Sequence, residues 1–352
     1  MKELAKKCEL LVENLMPFLG QNKQREIVRL VFEIAKRDKK DPTTILTKEQ
    51  TKNFEQAKKY LLSIRYKNKL NGKQIYLPKL DLDFVSPAIC NDAEFNPKNI
   101  FIEDTALDSE LTKRVQKKFP YALYKVFKGK FPIIEANYSK RKENLIIYTE
   151  KFDFLKPCPC TKKANCCGYN LINLGFGCLY DCQYCFLQQY QNLPAIALPA
   201  NIKDFLKHAE NTTYRKGPFP MIRIGSGEFT DSLLFDHLTN YSTELVNFFR
   251  NRQEYFEFKT KSCNISNLLM VEPSPNIVVG WSVNPQNIID EVEPLTPSLK
   301  ERLNSAGQVA RYGYKVAFHF DPVILHKDWK ENYKKVIEQI ADTIPEDKII
   351  WI

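Results

Sequence analysis

The chain has 352 residues, 43% of them apolar, with 23 Phe and 17 Tyr, so it can build a sizeable core, and its 12 glycines exclude a fibrous or low-complexity chain. Fifty-two Lys and Arg against 42 Asp and Glu leave a formal charge of +10, which suits an acidic partner such as nucleic acid or simply a solvated surface. The first 20 residues mix charged and apolar side chains, unlike a signal peptide, and no run approaches the ~18 apolar residues of a membrane span.

In chain order, residues 1–95 read as mostly helical, with apolar residues at three- and four-residue steps through Leu10, Leu11 and Leu15, then Ile27, Leu30, Val31 and Ile34. A further helix is expected over 47–60, with Thr47 as its N-cap. Pro87 and Pro97 interrupt the pattern and place a boundary near 90–97. Residues 96–168 read as a small α/β unit and a Cys-containing loop: strands at 99–103 and 144–149, a helix at 108–118. From 169 to 352 strands and helices alternate. Strands are predicted at 171–175, 221–224, 255–260, 277–283, 315–320 and 348–352, and helices at 202–210, 236–250, 266–270, 298–312 and 328–344. Ser298 and Asp328 are expected N-caps, and Gly313 a C-cap. Six β/α units predict an α/β fold, a parallel sheet curled into a (β/α)6 partial TIM-type barrel, with its site at the C-terminal ends of the strands.

Seven of the ten cysteines crowd between Cys158 and Cys185. Clustering of this kind in a large chain points to a reducing cytoplasm, where thiols hold metal rather than each other. After the first barrel strand comes Gly177-Cys178-Leu179-Tyr180-Asp181-Cys182-Gln183-Tyr184-Cys185-Phe186, with C-x3-C-x2-C spacing. Three thiolates on one short loop can hold three corners of an iron–sulfur cube and leave the fourth iron open to a ligand. A zinc site or plain buried cysteines are the alternatives. Zinc asks for a fourth ligand close by, and the loop has no His.

The loop resembles that of the radical S-adenosylmethionine superfamily, with Tyr184 as the aromatic residue before the last cysteine. The resemblance implies a [4Fe–4S] cluster on Cys178, Cys182 and Cys185, with S-adenosylmethionine on the open iron, cleaved by one electron to a 5′-deoxyadenosyl radical. Gly225, Ser226, Gly227 and Glu228, after the second strand, look like the superfamily's Gly-Gly-Glu-type motif, which receives the methionine amino group. Within the superfamily the chain resembles the spore photoproduct lyase family of DNA-repair enzymes. The similarity runs from about Ile100 to the end, through 101–107, 177–188, 258–261, 281–284, 292–297, 313–314 and 324–329. By position, Lys261 and Ser282 match the family's lysine and serine at the S-adenosylmethionine site. The implied partners are DNA carrying a damaged thymine dinucleotide and an electron donor such as flavodoxin or ferredoxin.

Some positions depart from the family pattern. No cysteine stands where the repair enzymes keep their hydrogen-donating thiol, Glu228 being the nearest position, and Phe186 replaces a family tyrosine. The family continues past the sixth strand, where this sequence ends at Ile352. The competing readings are a radical enzyme with a substrate other than DNA and a zinc- or nucleic-acid-binding protein. Cys158, Cys160, Cys166 and Cys167 match no zinc spacing and read as loop thiols or a second metal site. Cys263 is a candidate hydrogen donor, Cys8 and Cys90 are expected buried hydrophobes, and His319 is expected either inside the barrel or in the core.

Overall fold

The structure is a computed structural model that describes residues 2–65, 92–159, 167–185, 187–191, 193–214 and 220–352. It divides into two units, Met1–Ala88 and Ile89–Ile352. Cys90, Cys160, Cys166 and Phe186 lie outside the described residues. Among the described residues no helix is long and apolar enough to cross a membrane.

The first unit contains α1 (Lys2–Leu15), α2 (Gln21–Asp38) and α3 (Phe54–Arg65). The apolar stripes meet as expected: Cys8, Val12, Ile27, Leu30, Val31 and Leu61 are fully buried in one core. The helix expected from Thr47 starts later. Thr47 and Gln50 close a capping box around a single 3-10 turn, and Asn53 caps the helix proper by accepting from the Gln56 N–H at 2.9 Å.

The second unit carries β1 (Asn99–Glu103), β2 (Leu123–Phe127), β3 (Asn144–Tyr148), β4 (Lys156–Pro157), β5 (Tyr169–Ile172), β6 (Ile196–Pro199), β7 (Arg223–Ser226), β8 (Tyr255–Thr260), β9 (Ile277–Ser282), β10 (Lys315–His319) and β11 (Ile349–Trp351). Its helices are α4 (Glu110–Lys118), α5 (Leu187–Tyr190), α6 (Ile202–Glu210), α7 (Asp236–Thr239), α8 (Tyr241–Phe249), α9 (Gln286–Val292), α10 (Leu299–Tyr312) and α11 (Trp329–Thr343). One sheet has the order β11-β10-β9-β8-β7-β5-β4, parallel except for β4. A second, all-parallel sheet has the order β2-β1-β3-β6.

All six predicted barrel strands are present, in sequence order across the large sheet. Its curl is visible in side chains. β7 and β11 lie four strand spacings apart along the sheet, about 19 Å if it were flat, yet the Arg223 guanidinium sits 4.7 Å from the Trp351 ring centroid. Alternate residues divide between two faces. Ile224, Phe256, Phe258, Val279, Trp281, Val316 and Phe318 pack with the helices in the main core, while Tyr169, Glu257 and His319 meet inside the curl.

Three local readings need correction. The helix expected over 236–250 is broken at Asn240, whose φ of +53° ends α7 and starts α8. The stretch 266–270 makes only a 3-10 turn, Leu268–Met270. Ser298 caps α10 with a full capping box, whereas Asp328 precedes α11 in a left-handed conformation and makes no side-chain cap. Strands β2, β4 and β6 were not anticipated. β6 lies after the cysteine loop and completes the small sheet.

Candidate active site

Two elements carry the cysteine loop. At its start, Phe176 exchanges backbone hydrogen bonds of 2.8 and 2.9 Å with Ala197 of β6, so the loop leaves the large sheet against the small one. Gly177 follows at φ +89°, where a Cβ would come within 2.9 Å of Ile196 and 3.1 Å of the Ala195 carbonyl. Only glycine fits that turn without strain. Leu179, Tyr180 and Cys182 then pack into the small sheet's core with Ile100, Ile102, Leu145 and Ile147. The small α/β region is therefore the shelf under the loop.

Buried Arg141, just before β3, holds the first half of the loop. It donates to the Cys178 carbonyl at 2.7 Å and the Tyr180 carbonyl at 3.3 Å and pairs with Asp181, which Lys142 also binds. The Tyr180 hydroxyl donates to Asp92 at 2.5 Å. On the second half, the Tyr184 hydroxyl donates to Glu293, and the Gln183 N–H donates to the Val292 carbonyl at 2.8 Å.

Cys178, Cys182 and Cys185 are free thiols. Burial and the nearby Asp231 push the Cys178 thiol well above its ordinary value, and Cys182 and Cys185 add to the rise. Burial pushes Cys182 up to about 11 against the pull of Lys261, with Glu293 and Cys185 contributing. Among the described residues no group of three or more His, Cys, Asp or Glu side chains is arranged to hold a metal ion. Thiolates are nonetheless the ligands an iron–sulfur cube takes, one to each corner.

Of the other expected site residues, Lys261 and Tyr184 come together, the ammonium lying 5.7 Å from the ring centroid. Ser282 is buried at the end of β9, and its carbonyl accepts from Arg302 at 3.0 Å. The Gly225–Glu228 stretch is more occupied than the sequence suggests. The space beside Gly225 is filled by the Tyr169 phenol, with which any Cβ would collide. The Ser226 hydroxyl donates to Ser232 at 2.9 Å, and Gly227 lies against the Lys259 carbonyl. Glu228 pairs with Lys156 of β4 at 2.9 Å.

Two carboxylates at the site were not singled out from sequence. Asp231 accepts from the Thr260 hydroxyl at 2.6 Å and from the Lys261 N–H at 2.7 Å, so it fixes the end of β8; burial nonetheless raises its carboxyl. Glu293 lies in 292–297, a stretch that served only as a family match. Burial works to raise its carboxyl, but Arg302, Lys261 and the Tyr184 and Asn284 hydrogen bonds hold it below the usual carboxylate range. His319 points inward and pairs with Glu257 at 2.5 Å. Cys8 is fully buried, as expected. Cys263 is disulfide-bonded, so the free-thiol role expected of it is not available. Cys158 and Cys167 are half-buried.

A sequence model of the family described as spore photoproduct lyase matches residues 95–350. The chain belongs to the spore photoproduct lyase family. Its members are radical S-adenosylmethionine enzymes, and this chain is an enzyme of that kind. It is 26% identical over 269 residues to the spore photoproduct lyase of Bacillus subtilis (strain 168), covering 72% of this chain and 75% of the relative. A solved tyrosine-to-phenylalanine mutant of spore photoproduct lyase superposes with a TM-score of 0.61 at 25% identity, over 71% of this chain and 74% of that one. A double mutant solved with bound AdoMet and dinucleoside spore photoproduct superposes with a TM-score of 0.61 at 24% identity, over 73% and 78%. The partial-barrel fold is thus shared with spore photoproduct lyase.

Proposed function

We propose that this enzyme holds a [4Fe–4S] cluster on Cys178, Cys182 and Cys185, cleaves S-adenosylmethionine there, and acts on ultraviolet-damaged DNA. The observation that carries the reading is the family match over residues 95–350 of a chain whose C-x3-C-x2-C loop keeps Cys178, Cys182 and Cys185 as free thiols, with Lys261 lying over the ring of Tyr184 in the same loop. When bound, cluster and S-adenosylmethionine supply one-electron cleavage of a sulfonium C–S bond. The protein's part is to bind, orient and exclude water. Cys178, Cys182 and Cys185 would bind iron as thiolates, which for Cys178 and Cys182 requires losing a proton that burial makes them hold tightly. Lys261, with its backbone N–H held by Asp231, would pair with the cofactor's carboxylate. Tyr184 and Ser282 would line the same space.

The DNA assignment rests on family membership and on the lesion bound to the related double mutant. A thymine lesion has to leave the base stack to reach such a site, and the +10 charge favours phosphate contact. One feature favours a second reading, a radical enzyme with another substrate. The place nearest the family's hydrogen-donating cysteine holds Glu228, paired with Lys156, and a carboxylate cannot replace a thiol as hydrogen-atom donor.

Anaerobic reconstitution tests the first step: iron, sulfide and an absorption band near ~400 nm are expected, and a colourless zinc protein would end the proposal. Reduction with S-adenosylmethionine should then release 5′-deoxyadenosine. Recovery of thymine from ultraviolet-treated DNA decides between the substrates; its absence, with deoxyadenosine still formed, selects the second reading.

A further inference from the structure

Glu293 is 1% exposed and follows α9, far in sequence from the cysteine loop. One of its oxygens accepts from the Tyr184 hydroxyl and, at 2.7 Å, from the Asn284 amide. The other pairs at 2.6 Å with Arg302, a fully buried guanidinium that also donates to the Pro297 carbonyl at 2.9 Å and the Ser282 carbonyl at 3.0 Å. The network reaches the site through the Ser282 backbone and, by a side chain, through Tyr184, with Lys261 over the ring.

Stability alone does not explain the pair. Removing two charges from water costs free energy that their attraction repays poorly, and an apolar pair of equal volume is often as stable. An apolar pair, however, gives the half-buried Tyr184 phenol no acceptor. We infer that Glu293 is a positioning residue for S-adenosylmethionine: locked by Arg302, it fixes the Tyr184 ring, and the ring holds Lys261 where the cofactor's carboxylate binds. The inference rests on the proposed cofactor reading and adds the residue that orients the site.

The test uses the full chain, reconstituted anaerobically, as wild type, Glu293→Gln, Tyr184→Phe, the two combined, and Glu293→Met with Arg302→Met. Iron content, melting temperature, S-adenosylmethionine affinity by equilibrium dialysis and the change in the reduced-cluster electron paramagnetic resonance signal on adding S-adenosylmethionine are measured. Glu293→Gln and Tyr184→Phe should each keep their iron and weaken S-adenosylmethionine binding about tenfold, the worth of one hydrogen bond to a charged group. Their combination should be no weaker than either alone, because both break one path. The double Met variant should melt close to wild type and still bind S-adenosylmethionine weakly, with a diminished spectral change.

Wild-type affinity in Tyr184→Phe, or roughly hundredfold weakening in the combined variant, overturns the inference. So does normal binding by the double Met variant. Because Tyr184→Phe leaves the buried pair intact, it decides the matter even where Glu293→Gln fails to fold. A wild-type protein that takes up no iron or binds no S-adenosylmethionine instead overturns the cofactor reading beneath it.

Discussion

Two buried glutamates organise the barrel, and they are held in different ways. Glu293, beside the cysteine loop, faces a guanidinium that shares its complete burial. Glu257, inside the curl, has neutral or titratable donors instead: the Tyr169 hydroxyl at 2.7 Å, His319 at 2.5 Å and the Trp351 indole at 3.2 Å. Burial works to raise the Glu257 carboxyl, yet these hydrogen bonds and His319 hold it below the usual carboxylate range. The Glu257 network joins β5, β8, β10 and β11 and so draws the sheet into its curve. The Glu293 network joins a loop to a helix and so directs a side chain. One polar core shapes the fold, and the other aims the site.

Substitutions can break this contrast. The largest effect is expected from Arg302→Met alone, which strands a buried carboxylate and should cost about 3–5 kcal/mol in denaturant unfolding. It should also weaken S-adenosylmethionine binding, tying site and stability together at this network. Glu257→Gln should cost about 2–3 kcal/mol at pH 7 through weakened hydrogen bonds to a charge, with S-adenosylmethionine affinity retained. A loss of affinity as large as that in the Glu293 variants would erase the distinction between the two networks.

The acid dependence of Glu257 sharpens the comparison. Its folded pKa lies below the unfolded value of about 4.3, so its stabilisation is present above that pH and drains away as pH falls through the folded value. The melting-temperature gap between wild type and Glu257→Gln, whatever His319 adds to it near neutral pH, should therefore close as pH falls below about 4.3. A gap that stayed fully open well below that pH would contradict the assignment. Gly225→Ala should cost about 1–3 kcal/mol, because a methyl group collides with the Tyr169 phenol. Tyr169→Phe removes a single hydrogen bond to the Glu257 carboxylate and should cost about 1.5–2 kcal/mol. Paired with Gly225→Ala it should recover part of that variant's loss, since the colliding oxygen is gone; strictly additive losses would show that the clash lies elsewhere.

Much of the fold was legible because the barrel strands are short apolar runs separated by capped helices. The pattern from Tyr255 to Thr260 or from Ile277 to Ser282 has few other solutions. β2 and β6 escaped notice for opposite reasons. β2 is an edge strand with Leu123 and Val126 exposed, so no burial pattern marks it. Ile196–Pro199 is fully buried but only four residues long, and its sheet is built from strands that precede it by about 50 residues or more. The cysteines proposed to hold a cluster were picked out by their spacing, which is local. Arg141, Asp231 and Glu293 were not, because a buried charged residue carries no sequence mark of the distant groups it binds.

From the sequence by itself came the chemistry and the class of fold: three thiols at a spacing suited to an iron–sulfur cube, on a loop after the first of six alternating strands. Short-range spacing and periodicity set these, since a loop's ligands and a strand's two faces depend on neighbours along the chain. Tertiary structure alone decided what holds that loop. It brought Arg141 to one side and Glu293 to the other, filled the space at Gly225 with Tyr169, and gave Glu228 to Lys156. Each of these contacts joins residues about 37 to 109 positions apart, and such pairs exist only once the sheet has curled and brought its strand ends together.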